Sequence, residues 1–137
     1  MCKEISIKEA ELLLLNTKYD IITGVPDSLL KNILSKINTF SEAIHVPSVN
    51  EAHAVAIAFG AMLAGKRAAV YLQNSGLGNV INPITSLCIP SRLTPDLFIG
   101  HRHTLEQHKI MGEIDKKILM LLKYENAYLV HGDNNVK

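Results

Sequence analysis

Four short stretches of the sequence place polar side chains directly after apolar segments, and these side chains could do chemistry. The stretches are GVPDS (24–28), PSVNE (47–51), QNSGLGN (73–79) and GHRHTLEQH (100–108). Carboxylates and imidazoles in such positions can exchange protons with a bound ligand, and amides can hold its polar groups by hydrogen bonds. The four stretches are therefore candidates for binding a small polar molecule and for acid–base chemistry on it.

Glu51 is the carboxylate on which the functional interpretation depends. It precedes an apolar run, 52–65, in which His53 is the only polar side chain, and a helix that is apolar on nearly every face is expected to be buried. One interpretation is a capping box, in which Glu51 accepts a hydrogen bond from the backbone N–H of Ser48. The other is a catalytic carboxylate, and the S-x-x-E pattern taken alone favours the cap.

The glycine-containing and histidine-containing stretches have weaker patterns. QNSGLGN (73–79) lacks the lysine and hydroxyl pair of a phosphate-binding loop and the full G-x-G-x-x-G spacing, so a tight turn is the alternative to a ligand-binding loop. His101, His103 and His108 lie close together, but their loop has no cysteine and no H-E-x-x-H pattern, which argues against zinc. These histidines are expected either to be solvated or to serve in acid–base chemistry or substrate recognition.

The segments before these stretches are predicted strands of one sheet. Short apolar segments at 19–23, 43–46, 68–72, 96–99 and 127–131 alternate with predicted helices, which lie at 6–16, from Pro26-Asp27 through DSLLKNILSKI, at 52–65 and at 113–124. This alternation predicts an α/β protein whose parallel sheet is covered on both faces. Ligands of such sheets bind beyond the carboxyl ends of the strands, so the four polar stretches are expected to share one edge.

Composition and charge restrict the class of protein. The 137 residues are 47% apolar and 20% charged with a net charge of +1, which predicts a single domain, 1–137, with no basic surface for nucleic acid or anionic lipid. The two cysteines, Cys2 and Cys88, suggest no disulfide framework and fit a reducing cytoplasm. Because no apolar run is long enough to cross a bilayer and the first residues do not resemble a signal peptide, we expect a cytoplasmic protein.

Three segments together resemble thiamine diphosphate-dependent decarboxylases of 3-substituted pyruvates. They are TGVPDSLL (23–30), HVPSVNEAHAVAIAFGAMLAGK (45–66) and YLQNSGLGNVINPITSL (71–87), and the resemblance runs from about Tyr19 to Met111. It is to the pyrimidine-binding domain of the phosphonopyruvate and sulfopyruvate decarboxylases, and it implies a three-layer α/β/α sandwich. By this resemblance the chain is the alpha subunit of a two-subunit decarboxylase.

The resemblance also implies roles for individual residues. It makes Glu51 the carboxylate that hydrogen-bonds the ring nitrogen of the aminopyrimidine and so promotes deprotonation of the thiazolium carbon, which raises the catalytic interpretation above the cap. Asp27 and His108 are implied to be catalytic groups on the substrate side. The residues implied to bind the cofactor are Gly24, Pro26, Gln73 and Asn74, and those implied to bind the substrate are Ser28, Arg102 and Gln107.

The family's second domain holds magnesium and the diphosphate through a G-D-G then Asn motif, which has no counterpart in this sequence. The resemblance therefore implies a beta subunit that carries the Mg²⁺ ligands, in an α₂β₂ or larger assembly, and no metal ligands on this chain. Leu105 replaces the proline of the family's E-P-Q-H, and His101-Arg102-His103 stands where phosphonopyruvate enzymes have a W-R-G-type loop. Phosphonopyruvate, converted to phosphonoacetaldehyde and CO₂, is the first expected substrate and sulfopyruvate the second, and a non-catalytic binding or regulatory module is the remaining alternative.

Overall fold

A computed structural model of the protein describes residues 1–133. Its strands are β1 (Lys3–Ser6), β2 (Ile21–Gly24), β3 (Ile44–Pro47), β4 (Ala68–Gln73), β5 (Asp96–Gly100) and β6 (Ala127–His131). They form one sheet in the order β1-β6-β5-β4-β2-β3, and each neighbouring pair is parallel. The parallel sheet predicted from the sequence is therefore confirmed.

Helices connect successive strands of this sheet. They are α1 (Ile7–Asn16), α2 (Lys31–Phe40), α3 (Glu51–Leu63), α4 (Leu77–Pro83), α5 (Ile89–Ser91) and α6 (Glu106–Leu121). A 3₁₀ turn, Asn74–Gly76, leads from β4 into α4, and a π-helical turn, Ile84–Cys88, joins α4 to α5. Within residues 1–133, no helix combines the length and the apolarity needed to span a membrane.

Apolar side chains on both faces of the sheet build the core. On β4, Val70 and Leu72 pack into one apolar cluster with residues of α3 and α4, whereas Ala69 and Tyr71 pack into a second cluster with residues of α1 and α2. Alternate residues of a strand point to opposite faces, so both faces of β4 are covered, as is typical of a parallel sheet. The expected α/β/α layering is confirmed.

Two element boundaries at the start of the chain differ from the sequence prediction. β1 is not predicted because its residues, KEIS, include two charged side chains and no apolar run; its backbone pairing with β6 forms the strand. α2 begins at Lys31 rather than at Pro26-Asp27. The reason is a turn over residues 28–30, in which the backbone N–H of Leu30 donates to the carbonyl oxygen of Asp27 at 3.1 Å.

Two further differences bear on the functional residues. α6 begins at Glu106 instead of near 113, so Gln107 and His108 lie in its first turn rather than in a loop. QNSGLGN (73–79) is not an isolated tight turn, because after Gln73 the chain passes through the 3₁₀ turn directly into α4. Both polar stretches therefore sit at the starts of helical segments, where backbone N–H groups are not yet paired within the helix.

α3 is only partly buried, contrary to the sequence prediction. One side packs against the sheet through small apolar residues, namely Ala54, Val55, Ala58 and Ala61. On the other side Leu63 is 64% exposed, and Ala56 and Gly60 are exposed as well. A helix lying on a sheet buries one side within a single chain, so the outward side of α3 is apolar and exposed.

Candidate active site

The carboxyl ends of four neighbouring strands bring the polar stretches together. β5, β4, β2 and β3 are adjacent and parallel, so the segments that follow them start at the same edge of the sheet. The segments after β2 and β3 are joined by hydrogen bonds. The backbone N–H of Ser48 donates to the carbonyl oxygen of Gly24 at 2.8 Å, and the hydroxyl oxygens of Ser48 and Thr23 lie 2.7 Å apart. The shared edge expected from the sequence is confirmed.

Asn50, not Ser48, caps α3. The Asn50 side chain accepts a hydrogen bond from the backbone N–H of His53 at 2.8 Å, and the backbone N–H of Ser48 is bonded to Gly24 instead of to Glu51. The capping-box interpretation of Glu51 is therefore wrong, because the donor that it requires is already used. Glu51 still lies in the first turn of α3, where the helix dipole favours its negative charge.

The carboxylate of Glu51 lies between the start of α3 and the helical segment after β4. Its Oε2 accepts a hydrogen bond from Nδ2 of Asn79 at 2.7 Å, while no group within residues 1–133 donates to Oε1. A β-carbon added to Gly76 would lie 2.6 Å from the carboxyl carbon of Glu51, so this approach requires glycine. This half-buried carboxylate thus has one oxygen without a hydrogen-bond donor within residues 1–133.

Gly24 and Pro26 follow each other at the end of β2 but differ in environment. Gly24 is buried, and a β-carbon there would lie 2.0 Å from the carbonyl oxygen of Tyr71 on the neighbouring strand β4. Pro26 is exposed. A larger residue therefore does not fit at Gly24, whereas Pro26 lies at the surface after the end of β2.

Asp27, Ser28 and Arg102 lie together. Asp27 is 5% exposed, and its Oδ1 lies 3.0 Å from Nη2 of Arg102, which also donates a hydrogen bond to the hydroxyl of Ser28. Burial raises the pKa of the Asp27 carboxyl above its ordinary value, and the charge of Arg102 opposes that rise. A β-carbon on Gly100 would lie 2.3 Å from Oδ2 of Asp27, so glycine at the end of β5 makes room for the carboxylate.

Gln73, the last residue of β4, lies next to His108 in the first turn of α6. Nε2 of Gln73 lies 3.5 Å from Nδ1 of His108 and donates a shorter hydrogen bond, 2.6 Å, to the hydroxyl of Ser75. The neighbouring Gln107 is exposed, and its side chain makes no hydrogen bond within residues 1–133. The predicted residues thus fall into groups at one edge, with Gln107 standing apart at the surface.

Asn74 is fully buried and connects this edge to two residues that the sequence prediction did not assign. Its Nδ2 donates to the carbonyl oxygen of Arg102 at 2.8 Å and to Oδ2 of Asp115 at 3.0 Å. Asp115 Oδ2 also lies 2.6 Å from Nδ1 of His101. A signal for Asp115 does exist in the sequence, because it lies one helical turn before the apolar Leu119 and so occupies a core-facing position of α6.

Unpaired polar atoms concentrate at this place. Within residues 1–133, the buried side-chain oxygens and nitrogens that lack a well-directed hydrogen bond belong to Asp27, Asn74 and Arg102. These three residues are in direct contact, through the Asp27–Arg102 pair and the hydrogen bond from Asn74 to Arg102. Buried polar groups are normally paired in folded proteins, so this cluster is a candidate place for binding a polar ligand.

The fold and these contacts define a class of protein. It is an α/β protein with a candidate ligand site at the carboxyl edge of a parallel sheet, where carboxylate, amide, imidazole and guanidinium groups lie.

The chain is similar to two relatives of known name and to one solved structure. The sulfopyruvate decarboxylase subunit alpha of Methanococcus maripaludis is 36% identical over 111 residues, which are 77% of this chain and 66% of that subunit. The phosphonopyruvate decarboxylase of Streptomyces viridochromogenes is 33% identical over 109 residues, which are 76% of this chain and 28% of that enzyme. A solved structure from Mycobacterium smegmatis, described as a thiamin diphosphate-dependent enzyme, is similar over 93% of this chain and 30% of its own, with 18% identity and a TM-score of 0.49. No protein-family profile matches the chain.

The chain is similar to sulfopyruvate and phosphonopyruvate decarboxylases over about three quarters of its length, which confirms the resemblance found in its sequence. It spans less than two thirds of the length of either relative, 66% of the Methanococcus subunit and 28% of the Streptomyces enzyme. The activity, substrate and partners of the whole protein are therefore matters for proposal.

Proposed function

We propose that this chain is the pyrimidine-binding alpha subunit of a thiamine diphosphate-dependent decarboxylase that acts on a 3-substituted pyruvate. The observation that carries the proposal is the Glu51 carboxylate, which is held against Gly76 at the start of α3 and is not used as a helix cap. A fixed carboxylate with a free oxygen can exchange a proton with the nitrogen of a bound ring. The similarity to sulfopyruvate and phosphonopyruvate decarboxylases supports the same activity.

The residues around Glu51 suit the pyrimidine end of this cofactor. Glu51 would hold the ring nitrogen through Oε1, and Gln73 and Asn74 would offer amide groups at the same edge. Oδ1 of Asn74 is buried and accepts no hydrogen bond, so a donor on the ligand could pair with it. Gly24 and Pro26 would form the neighbouring wall. Thiamine diphosphate, when bound, supplies the electron sink for the loss of CO₂ from a 2-oxo acid.

The substrate is proposed to meet the group of Asp27, Ser28 and Arg102. A guanidinium binds sulfonate or phosphonate oxygens strongly, and the hydroxyl of Ser28 can add a hydrogen bond. Because burial raises the pKa of Asp27, this carboxyl can hold a proton more readily than an exposed one. His108, next to Gln73, is the second proposed acid–base group, and the exposed Gln107 beside it is the third proposed substrate contact.

A beta subunit is proposed to complete the site with the ligands for Mg²⁺ and the diphosphate, in an α₂β₂ or larger assembly. The relative from Methanococcus maripaludis is named as an alpha subunit, which supports a separate partner chain. The apolar outward side of α3 supports it as well, since a partner that covers this side would bury exposed apolar surface. A cytoplasmic location is proposed with it, in keeping with the free thiols of Cys2 and Cys88.

Two substrates are candidates for the same reaction. Phosphonopyruvate would give phosphonoacetaldehyde and CO₂, and sulfopyruvate would give sulfoacetaldehyde and CO₂. The alpha subunits named among the relatives favour sulfopyruvate, and the phosphonopyruvate decarboxylases among them support phosphonopyruvate. Sulfonate and phosphonate are both tetrahedral anions that Arg102 can bind, so an assay of both substrates is needed to distinguish them.

The test is turnover by the reconstituted enzyme. The chain is co-expressed with its beta subunit, saturated with thiamine diphosphate and Mg²⁺, and CO₂ release is measured from each of the two substrates. Turnover of either one is the expected result, and the ratio of the two kcat/KM values identifies the substrate. If the assembled protein binds the cofactor and releases no CO₂ from either compound, the decarboxylase proposal is wrong and the non-catalytic module is the remaining interpretation.

A further inference from the structure

Asp115 is a buried carboxylate that the proposed reaction does not use. It is 1% exposed and lies on α6. Its Oδ2 accepts hydrogen bonds from Nδ2 of Asn74 at 3.0 Å and from Nδ1 of His101 at 2.6 Å, and its Oδ1 accepts one from the backbone N–H of Lys116 at 2.6 Å. The carboxylate therefore has three donors, which is the arrangement that offsets the cost of burying its charge.

These hydrogen bonds extend from Asp115 to the loop that carries Arg102. The second amide hydrogen of Asn74 is donated to the carbonyl oxygen of Arg102 at 2.8 Å. Asp115 therefore fixes the end of β4 through Asn74 and the end of β5 through His101, and both contacts fall beside the Arg102 backbone. Side-chain atoms of Arg102 in turn contact Asp27 and Ser28.

Burial alone does not explain a carboxylate at this position. Leu119, one turn later on the same face of α6, is fully buried and apolar. An aliphatic residue at 115 could pack into the core in the same way without the free-energy cost of burying a charge. An amide at 115 would also fall short, because with its oxygen in the place of Oδ2 its NH₂ group would face the backbone N–H of Lys116. The hydrogen bonds from Asn74 and His101 would also lose the strength that the negative charge gives them. What the carboxylate adds is a fixed orientation for Asn74 and His101.

We propose that Asp115 is a positioning residue that sets the Arg102 loop, through Asn74 and His101, for recognition of the anionic group of the substrate. The proposal rests on the function proposed above. The proposal predicts that Asp115, which contacts neither the substrate nor the guanidinium, affects substrate binding only through Arg102. A residue that merely stabilised the fold would not show this dependence.

The test is a double-mutant cycle in the assembled enzyme. Asp115→Asn is expected to raise KM for the 3-substituted pyruvate by about tenfold with a smaller change in kcat, since a lost charge-assisted hydrogen bond is typically worth that factor. Arg102→Lys is expected to raise KM as well. The combination of both changes should raise KM little beyond Arg102→Lys alone, because both act on one recognition group.

Asp96→Asn is the matched control. Asp96 lies at the opposite end of β5, where its carboxylate accepts a hydrogen bond from the Tyr19 hydroxyl at 2.5 Å. Removing the charge weakens this bond, so the variant should have a lower melting temperature and an unchanged KM. If the effects of Asp115→Asn and Arg102→Lys on KM multiply independently, or if Asp115→Asn resembles Asp96→Asn, the positioning role is wrong.

A second readout separates this proposal from the decarboxylase assignment. Hydrogen exchange of the backbone amides of 101–104 is measured in the full chain, which requires no substrate. Asp115→Asn should speed exchange at these amides, whereas Asp96→Asn should not. Absence of decarboxylation by the wild-type assembly would count against the proposed function alone, while unchanged exchange in Asp115→Asn would count against the positioning role whatever the activity.

Discussion

The carboxyl carbon of Glu51 lies 2.6 Å from the point that a β-carbon on Gly76 would occupy. The backbone at Gly76 has φ of −76° and ψ of −8°, values that any residue can adopt, so the need for glycine there comes from space and not from backbone conformation. The turn after β4 thus sets how deeply the Glu51 side chain can lie at the start of α3.

The first prediction concerns this contact. Gly76→Ala should displace the Glu51 carboxyl group and lower the decarboxylation rate of the assembled enzyme by at least about tenfold, because small misplacements of a reacting group are costly. Gly78→Ala is the control for folding, since nothing lies within 4 Å of a β-carbon there. The melting temperature of Gly78→Ala should match or exceed that of the wild type. Wild-type turnover by Gly76→Ala would show that the position of Glu51 is not critical.

The second prediction concerns pH and His45. Nε2 of His45 lies 2.7 Å from the Tyr71 hydroxyl and Nδ1 lies 2.6 Å from Oδ1 of Asn38, and burial lowers the pKa of His45 from its ordinary value of 6.5. Below pH 6.5 the unfolded chain therefore takes up this proton before the folded chain does, so the free energy of unfolding falls as pH falls. His131, whose pKa burial also lowers, acts in the same direction.

Urea unfolding at about pH 7.5 and about pH 5.5 measures this effect. His45→Gln should lose less stability than the wild type between the two pH values, because one of the two histidines whose pKa is lowered by burial is gone. Tyr71→Phe keeps the imidazole of His45 and removes its buried hydroxyl partner. This variant should therefore still lose stability as the pH falls. An equal loss in His45→Gln and in the wild type would mean that His45 does not contribute to the acid sensitivity.

The third prediction concerns the guanidinium of Arg102. Arg102→Lys keeps a positive charge near Asp27 but replaces the planar fork with a single ammonium group. The melting temperature should change little, while KM for the 3-substituted pyruvate should rise by about tenfold, equivalent to about 1.4 kcal/mol. Steady-state kinetics with sulfopyruvate and phosphonopyruvate measure the change. An unaltered KM for both would place the anionic group of the substrate elsewhere.

The sheet and the shared edge could be predicted because they depend on local patterns. Short apolar strands alternate with helices along the chain, and parallel strands necessarily place their carboxyl ends together. β1 could not be predicted in this way, because KEIS pairs with β6 from the far end of the sequence and has no apolar pattern of its own. Strand pairing over such a distance is a tertiary effect.

The candidate site was predictable in its residue types but not in its contacts. The S-x-x-E pattern at Ser48 and Glu51 predicts a cap, yet the Ser48 N–H is taken by the Gly24 carbonyl of another strand, and Asn50 caps α3 instead. Asp115 escaped prediction because its partners, Asn74 and His101, come from other elements. Helix-end and loop patterns do not reveal which distant group competes for a donor.

The last prediction concerns Glu51 itself. Glu51→Gln keeps an oxygen that can accept the hydrogen bond from Asn79, and α3 retains its Asn50 cap, so the free energy of unfolding should change by less than about 1 kcal/mol. The amide cannot take up or hold a proton as the carboxylate can, so turnover should fall by at least about 100-fold. Melting temperature, cofactor binding and CO₂ release are measured on the assembled, cofactor-saturated enzyme.

Asn50→Ala is the matched variant, because it should give the opposite pair of results. Loss of the side chain that bonds the His53 N–H removes the cap, at about 1 kcal/mol, and should leave turnover near that of the wild type. Glu51 and Asn50 are adjacent at the start of one helix, so the comparison separates helix stabilisation from proton transfer. If Glu51→Gln folds, binds thiamine diphosphate and releases CO₂ at the wild-type rate, Glu51 has no part in the reaction and the carboxylate serves only the packing between α3 and the segment after β4.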